Sequence, residues 1–207
     1  MHWFVGTRRE PPTWPKRVEH DEDLVPAALA GAARGGLGSK SHAAVTVFHD
    51  PGLSSAGERS LLAFTRWGHA VSWTGRGLPA SLALALAPLT RGSADRAFGG
   101  EEWADASGRT VVFVCAHGTR DHRCGDCGPP ILRALSAASA PPLLALACSH
   151  VGGHRFAGNM LVYPAGAWFA LVTPENAVAA VASVVGGGDG GSTAFARGRV
   201  FSPSLKK

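Results

Sequence analysis

The chain has 207 residues, of which 45% are hydrophobic and 17% are charged, so a buried core is expected and global disorder is excluded. Its net charge is +5, but no basic run is longer than a pair, so the sequence carries no signal for nucleic-acid binding. No apolar stretch reaches the ~20 residues that span a bilayer, and the first residues lack the pattern of a secretion signal. We therefore expect an intracellular protein without membrane segments, most simply cytoplasmic, with the plastid and the mitochondrion as alternatives.

The first half of the chain alternates apolar strands with helices rich in small residues. Trp3–Val5 is a short strand, and Asp21–Asp23 provide the acidic first turn of a helix over Leu24–Ala33. A second strand is predicted over Ala43–Phe48. The other predicted elements are a hairpin and an apolar helix, namely Leu61–Phe64 with Ala70–Trp73 around Trp67–Gly68, and then Leu82–Leu89.

The second half repeats this order of elements. Thr110–Cys115 is a strand rich in β-branched residues. A loop rich in Gly, Asp and Arg follows it, and Pro129–Pro130 then open a helix through Ile131–Ala138. Leu143–Cys148 is a buried strand. The last predicted elements are a hairpin and a helix, namely Asn159–Tyr163 with Trp168–Thr173, and then Pro174–Val185.

Each half therefore has the order strand, helix, three strands and helix. This order favours an α/β fold with a thioredoxin-like mixed sheet flanked by helices, built from two similar halves. The predicted boundaries are 1–92 for an N-terminal half without metal ligands, 93–109 for a linker, 110–186 for the second half and 187–207 for a flexible tail. Ala194–Phe201 is a candidate strand within that tail, and one continuous α/β domain is the alternative.

The residues with metal or redox chemistry concentrate in two loops that directly follow predicted strands. The first loop runs from Cys115 to Cys127 and the second from Cys148 to His154, and together they hold all four cysteines. A secreted disulfide scaffold would spread its cysteines along the chain. Ligand groups converge at the ends of parallel strands, so each loop can supply two ligands to one metal centre.

Two spacings predict which residues form that centre. Cys115 and Cys124 are separated by eight residues, and His150 and His154 by three. Thiolates and imidazoles bind iron–sulfur clusters and zinc. The two glycines between the histidines favour a turn in which both imidazoles face one centre. A Cys2His2 zinc site with a structural or interaction role is the alternative.

A second pairing of thiols predicts a different chemistry. Cys124 and Cys127 form a CxxC pair between a strand and a helix, which is the arrangement of thiol-disulfide oxidoreductases. Asp126 lies between them and would raise their thiol pKa values, whereas a reactive dithiol needs low ones. Redox thiols at Cys124 and Cys127 are therefore the third hypothesis.

The two loops resemble the sucrase/ferredoxin-like family. The resemblance is carried by Phe113–Pro129, by Cys148–Asn159, and by Val162–Pro164 with Trp168 and Val172–Pro174. A weaker match in the first half is Trp14–Glu19. The resemblance implies a thioredoxin-like domain with a [2Fe-2S] cluster whose ligands are Cys115, Cys124, His150 and His154. It also implies an electron carrier or redox sensor with an unidentified redox protein partner, rather than an enzyme with catalytic residues.

Other residues of the loops are expected to support such a cluster. We expect Arg120 and Arg123 to offset its negative charge and Asp121 to accept a backbone N–H or hold an arginine. His117 is expected to hydrogen-bond within the loop. Gly152 and Gly153 are expected to let backbone amides approach the cluster.

Overall fold

A computed structural model describes residues 1–30, 44–55, 57–66, 69–82, 86, 91–138, 143–185 and 195–199 of the chain. The chain divides into two compact units. The first contains Met1–Arg8 and Arg17–Ser107, and the second contains Arg9–Lys16 and Gly108–Lys207. The second unit is therefore discontinuous in sequence, because a short N-terminal segment folds with the C-terminal half.

The first unit has a mixed sheet. Its described strands are β1 (His2–Thr7), β2 (Ala44–His49), β3 (Glu58–Phe64), β4 (Ala70–Arg76) and β5 (Ala104–Asp105). Their order is β2-β1-β3-β4-β5, in which β1 and β2 are parallel and the other pairs are antiparallel. Every residue of β1 is buried, as its apolar sequence requires of a central strand.

These strands confirm the predicted strands of the first half, with most ends extended by a few residues. Of the helix predicted over Leu24–Ala33, residues 27–30 are helical, and residues 31–33 lie outside the described part of the chain. Of the helix predicted over Leu82–Leu89, residues 82 and 86 are described and helical. The turn at Trp67–Gly68 also lies outside the described residues.

The segment predicted as a linker over residues 93–109 is instead structured. It contains most of helix α1 (Arg91–Phe98) and strand β5. Ala94, Ala97 and Phe98 are buried on one face of α1, and Trp103 packs 5.8 Å from Trp3 between ring centroids. The prediction was wrong because the glycine, serine and charged residues of this segment obscure a short apolar stripe at helical spacing.

The second unit has a mixed sheet of its own. Its described strands are β6 (Thr110–Cys115), β7 (Leu143–Cys148), β8 (Met160–Tyr163), β9 (Ala167–Ala170) and β10 (Phe195–Arg199). Their order is β10-β9-β8-β6-β7, with β6 and β7 parallel and the other pairs antiparallel. Helices α2 (His122–Ala138) and α3 (Ala177–Val185) complete the unit.

The core of the second unit lies between its sheet and these helices. Val112 and Val114 of β6 pack in one buried cluster with Ile131 and Leu135 of α2 and Val181 of α3. The chain order β6, α2, β7, β8, β9, α3 is the predicted one, so the structure confirms the α/β fold with a mixed sheet flanked by helices.

Three predicted boundaries in this unit need correction. Helix α2 begins at His122 and not at Pro129, so both prolines lie inside it. Helix α3 begins at Ala177, and the second strand of the hairpin ends at Ala170. The tail predicted as flexible contains β10, which pairs with β9 and matches the candidate strand at Ala194–Phe201. None of the described helices is long and apolar enough to cross a membrane.

Candidate metal centre

Two loops leave the sheet of the second unit at the same edge. Strands β6 and β7 are parallel, with Cys115 opposite Cys148 in the register. The pairing continues beyond the strands, because the N–H of Ala116 donates to the carbonyl of Cys148 at 3.0 Å. The parallel register therefore brings the first residues of both loops together.

Three predicted ligands meet at this edge. The Sγ atoms of Cys115 and Cys124 and a ring nitrogen of His150 all lie within 4.8 Å of one another. Cys124 Sγ is 3.8 Å from His150 Nδ1. Both cysteines are buried and His150 is half-buried. The site is thus built from one residue at a strand end, one on α2 and one on the second loop.

His154 lies beside this group. Its ring centroid is 5.4 Å from that of His150, and its Nε2 is 3.8 Å from Asp121 Oδ2. Its side chain is 46% exposed. Among the described residues, the group of close ligand atoms comprises Cys115, Cys124 and His150, and His154 is outside it.

The hydrogen bond between the two thiols of the centre shifts their pKa values in opposite directions. The pKa of Cys115 is lowered to about 5, first by a hydrogen bond from the Cys124 thiol and then by contacts with His150 and backbone N–H groups, against the opposing effect of burial. The same hydrogen bond raises the pKa of Cys124, together with burial and the negative charge of Cys115. Metal binding requires both sulfurs as thiolates, so a bound metal would take the place of the thiol protons.

Asp121 positions Cys124 by beginning helix α2. Asp121 Oδ1 accepts the backbone N–H of Arg123 at 3.1 Å, as a residue before a helix commonly does. The Arg123 side chain donates to both carboxylate oxygens, at 3.0 and 3.1 Å, and these bonds lower the pKa of Asp121 to about 2. The expectation that Asp121 accepts a backbone N–H and holds an arginine describes this arrangement. The positive charge of Arg123 is thus paired with the carboxylate of Asp121.

Glycines allow α2 to approach the first loop closely. A Cβ at Gly125 would lie 2.8 Å from the Cα of Gly118, and a Cβ at Gly128 would lie 2.5 Å from the carbonyl oxygen of Cys115. In the second loop, Gly152 and Gly153 have φ of 91° and 68°, which are left-handed values. These two glycines therefore form a turn between His150 and His154, as their sequence predicts.

His117 connects the two loops and is buried. Its Nε2 donates to the carbonyl of Pro15 at 2.9 Å, and its Nδ1 accepts the backbone N–H of His150 at 3.3 Å. A carbonyl can only accept, so these partners define the neutral tautomer with the proton on Nε2. Burial lowers the pKa of His117, which also favours the neutral ring. The backbone carbonyl of His117 accepts the N–H groups of Arg120 and Asp121, at 3.2 and 3.1 Å, so the residue also hydrogen-bonds within its own loop as predicted.

The segment Arg9–Lys16, called the strap below, covers His117. Trp14 is buried and stands edge-on to His117, with ring centroids 5.7 Å apart. Thr119 Oγ1 donates to the Trp14 carbonyl at 2.7 Å, and Arg120 Nη1 to the Lys16 carbonyl at 3.4 Å. Arg120 was expected to offset the charge of the metal centre, and its described bond is instead to the strap. Sequence reasoning missed this role, although Trp14 begins the motif Trp14–Glu19.

Asn159 and Trp168 hold the second loop. Asn159 is buried, and its Nδ2 donates to the carbonyls of Gly153 at 3.2 Å and Phe156 at 3.3 Å. Its Oδ1 accepts from Trp168 Nε1 at 3.2 Å. The sequence placed both residues in the hairpin and in the segments that carry the family resemblance, but it did not predict the hydrogen bonds by which they hold the second loop.

Comparison with known proteins identifies the family of the chain. A family model described as sucrase/ferredoxin-like matches residues 1–201. The chain belongs to the sucrase/ferredoxin-like family. Altered inheritance of mitochondria protein 32 from Candida glabrata is 42% identical over 86 residues, which are 35% of this chain and 28% of that protein. The protein of the same name from Debaryomyces hansenii is 31% identical over 90 residues, covering 40% and 33%. The matches therefore cover a third or less of these relatives' length.

Solved structures are similar to this member of the sucrase/ferredoxin-like family over part of its length. A thioredoxin-like [2Fe-2S] ferredoxin from Aquifex aeolicus is 16% identical with a TM-score of 0.35, and the match covers 47% of this chain and 98% of that chain. A cysteine-to-serine variant of that ferredoxin has 19% identity and a TM-score of 0.33, with coverage of 38% and 90%.

The other two cysteines of this family member lie apart from the close ligand group found among the described residues. Cys127 is half-buried against the core of the second unit, and burial followed by the charge of Asp126 raises its pKa. Cys148 is fully buried, which raises its pKa well above the ordinary value. A raised pKa lowers the fraction of each thiol that is present as the reactive thiolate.

The donors of the centre fit a metal. Two thiols and one imidazole, with a second imidazole beside them, are the ligand types of both zinc and iron–sulfur sites. Burial of both thiols excludes water, and His117 fixes the backbone of one imidazole residue. The donor chemistry accommodates either cofactor, so function depends on which one is bound.

Proposed function

We propose that the chain binds a [2Fe-2S] cluster through Cys115, Cys124, His150 and His154 and acts in electron transfer or redox sensing. The observation that carries the proposal is the convergence of two thiols and the His150 ring within 4.8 Å, with the His154 ring beside them. Membership of the sucrase/ferredoxin-like family supports it.

In this proposal the residues divide the ligation between the two loops. Cys115 and Cys124 hold one side and His150 and His154 the other, so the site contributes two negative charges rather than four. Neutral ligands in place of thiolates raise the reduction potential of a cluster. The bound cluster would supply one-electron chemistry, while the buried thiols and the strap exclude water around it.

Anaerobic purification followed by iron and sulfide quantitation tests this proposal. We expect about two irons and two sulfides per chain, with visible absorption and, after reduction, an EPR signal. One zinc per chain and no iron would overturn it. The second candidate is then a zinc site, which the 3.8 Å separation of Cys124 Sγ and His150 Nδ1 favours, because a single ion needs closely spaced donors.

Single substitutions test the ligand assignment. We expect Cys115→Ser, Cys124→Ser, His150→Ala and His154→Ala each to lower iron content or change the visible spectrum. The matched controls are Cys127→Ser and His122→Ala, which alter a nearby cysteine and an exposed nearby histidine. Loss of iron in Cys127→Ser would contradict the assignment. Disulfide reductase activity that disappears in this variant while iron remains would favour the CxxC hypothesis.

We propose an intracellular location. The sequence favours the cytoplasm, whereas the name of the curated relatives refers to the inheritance of mitochondria. Fractionation of cells that express the full natural chain would test the choice. Recovery from the culture medium would overturn the proposal.

A further inference from the structure

Phe156 and Leu171 form an apolar patch at the surface beside the second loop. Phe156 is 38% exposed and Leu171 is 48% exposed. The two residues are adjacent, because the N–H of Leu171 donates to the carbonyl of Phe156 at 3.1 Å. Phe156 is two residues from His154, so the patch adjoins the most exposed side of the metal centre.

The backbone at Leu171 is unusual. Its φ is 55°, and among the described residues it is the one non-glycine residue reported with a positive φ. A side chain with a Cβ is disfavoured in this conformation, and burial of the side chain offers no compensation here, since Leu171 is half exposed. Conformational strain of this kind concentrates at functional sites. Strain and exposure together identify Leu171 as a residue held at the surface for contact.

One arginine, Arg155, lies against the patch. The Arg155 guanidinium carbon lies 5.8 Å from the centroid of the Phe156 ring, and Arg155 is exposed. The acidic residue next to His154 is Asp121. Its side chain is only 14% exposed and is bound by Arg123. Arg123 itself is 44% exposed. The patch therefore has an apolar centre with the positive charge of Arg155 at its edge, whereas the charge of Arg123 is paired with Asp121.

We propose that the Phe156–Leu171 patch, with the exposed Arg155 at its edge, is the docking surface for an acidic electron-transfer protein. The part of this proposal that concerns electron transfer rests on the proposed function. An apolar centre with a polar rim is the usual anatomy of a protein interface, and charge complementarity sets which partners approach it. A partner seated on the patch lies directly beside His154.

Binding to defined probes tests the proposal with the purified full chain. The probes are an acidic flavodoxin and an acidic plant-type ferredoxin, with the basic protein cytochrome c as the opposite-charge control. We expect calorimetry at low salt to detect binding of at least one acidic probe, weakened at least tenfold in 0.5 M salt because the rim is exposed. Binding of neither acidic probe, or equal binding of cytochrome c, would overturn the proposal.

Matched variants locate the surface. We expect Arg155→Glu to weaken binding at least tenfold and Phe156→Ser or Leu171→Asn at least fivefold. Asparagine tolerates the positive φ at residue 171. The controls are Arg133→Glu, an exposed residue farther along α2, and Val178→Ser, an exposed apolar residue of α3, which we expect to remain within twofold. Equal weakening by Arg155→Glu and Arg133→Glu would indicate general charge attraction and contradict a specific site.

Iron content is measured on every sample, which separates the two proposals. Binding to the acidic probes by a chain without iron leaves the docking surface intact and refutes the proposed cofactor. A chain with a full cluster that binds neither acidic probe refutes the docking surface alone.

Discussion

His117 is the residue that joins the strap to the second loop. It spans from the Pro15 carbonyl to the His150 N–H; the ring itself is buried and both hydrogen bonds are partly buried. The neutral ring uses one nitrogen as a donor and the other as an acceptor. The position of His150 therefore depends on a residue that is not itself expected to bind the metal.

Replacing His117 with alanine should destabilise the second unit. The substitution removes the partner of a half-buried carbonyl and of a half-buried N–H and leaves a cavity in place of a buried ring, which together cost about 1–3 kcal/mol of unfolding free energy. Denaturant titration of the protein as purified measures this loss, and the spectrum of its metal centre should change with it. His122→Ala is the control, with an expected change within about 0.5 kcal/mol because His122 is exposed. A His117→Ala protein with unchanged stability and spectrum would show that the residue does not position the loop.

His2 should make stability depend on pH through the first unit. Its ring is buried against Thr46, with Nε2 2.8 Å from Thr46 Oγ1, and desolvation lowers its pKa to about 3. The unfolded chain binds a proton near pH 6.5 and the folded chain does not. The folded chain therefore has its full stability with respect to His2 above pH 6.5, and it loses stability as pH falls from 6.5 towards 3.

Comparison with His2→Asn isolates this effect. The difference in unfolding free energy between the natural chain and the variant should shrink by about 1–2 kcal/mol between pH 7 and pH 5. Denaturant titration at both values measures it, and the metal centre cancels in the comparison. A difference that is constant or grows towards pH 5 would contradict the assignment of His2 as a buried neutral ring.

Helix α2 carries Cys124 and depends on two glycines for its place against the first loop. In an exposed helix, Gly→Ala stabilises by up to about 1 kcal/mol. Gly128→Ala should instead destabilise by about 1–3 kcal/mol, because its Cβ would lie 2.5 Å from the Cys115 carbonyl oxygen and 2.9 Å from the Cα of Ala116. Thermal or denaturant unfolding of the natural chain and of each glycine variant measures the change in stability. Gly92→Ala in α1 is the control, since its Cβ would meet only Arg96 at 4.0 Å, and a loss of stability there equal to that of Gly128→Ala would refute the steric explanation.

The elements also show what the sequence could predict. Strands β6 and β7 were predicted with their observed bounds, because continuous runs of apolar residues between loops identify buried strands. The start of α2 was predicted seven residues late, because Gly125, Gly128 and the two prolines have low helix propensity and are typical of a loop. Asp121 before His122 was the available N-terminal signal. The convergence of Cys115, Cys124 and His150 was predictable, because both loops follow parallel strands that end at the same place. The contacts of Asn159 and Trp168 were not predictable, because no local sequence pattern encodes them.

On the scale of the whole molecule, removal of the metal should affect the two units differently. Ligands from β6, α2 and the second loop are proposed to bind one cluster, so its loss removes binding free energy from the second unit. Hydrogen exchange before and after cluster removal should show faster exchange in β6, β7 and α2. Exchange in β1 and β3 of the first unit should remain unchanged. Equal acceleration in both units, or none in the second, would contradict this expectation.

During synthesis, the strap is made well before the residues of the second unit that it contacts. Pro15 and its hydrogen-bond partner His117 are separated by 102 residues. At a synthesis rate of about 5–20 residues per second, the strap leaves the ribosome roughly 5–20 seconds before its binding site exists. The second unit therefore completes its fold only when a segment made early meets residues made late. A fragment that begins at Gly108 would lack the strap, and with it the hydrogen bond that the Pro15 carbonyl accepts from His117.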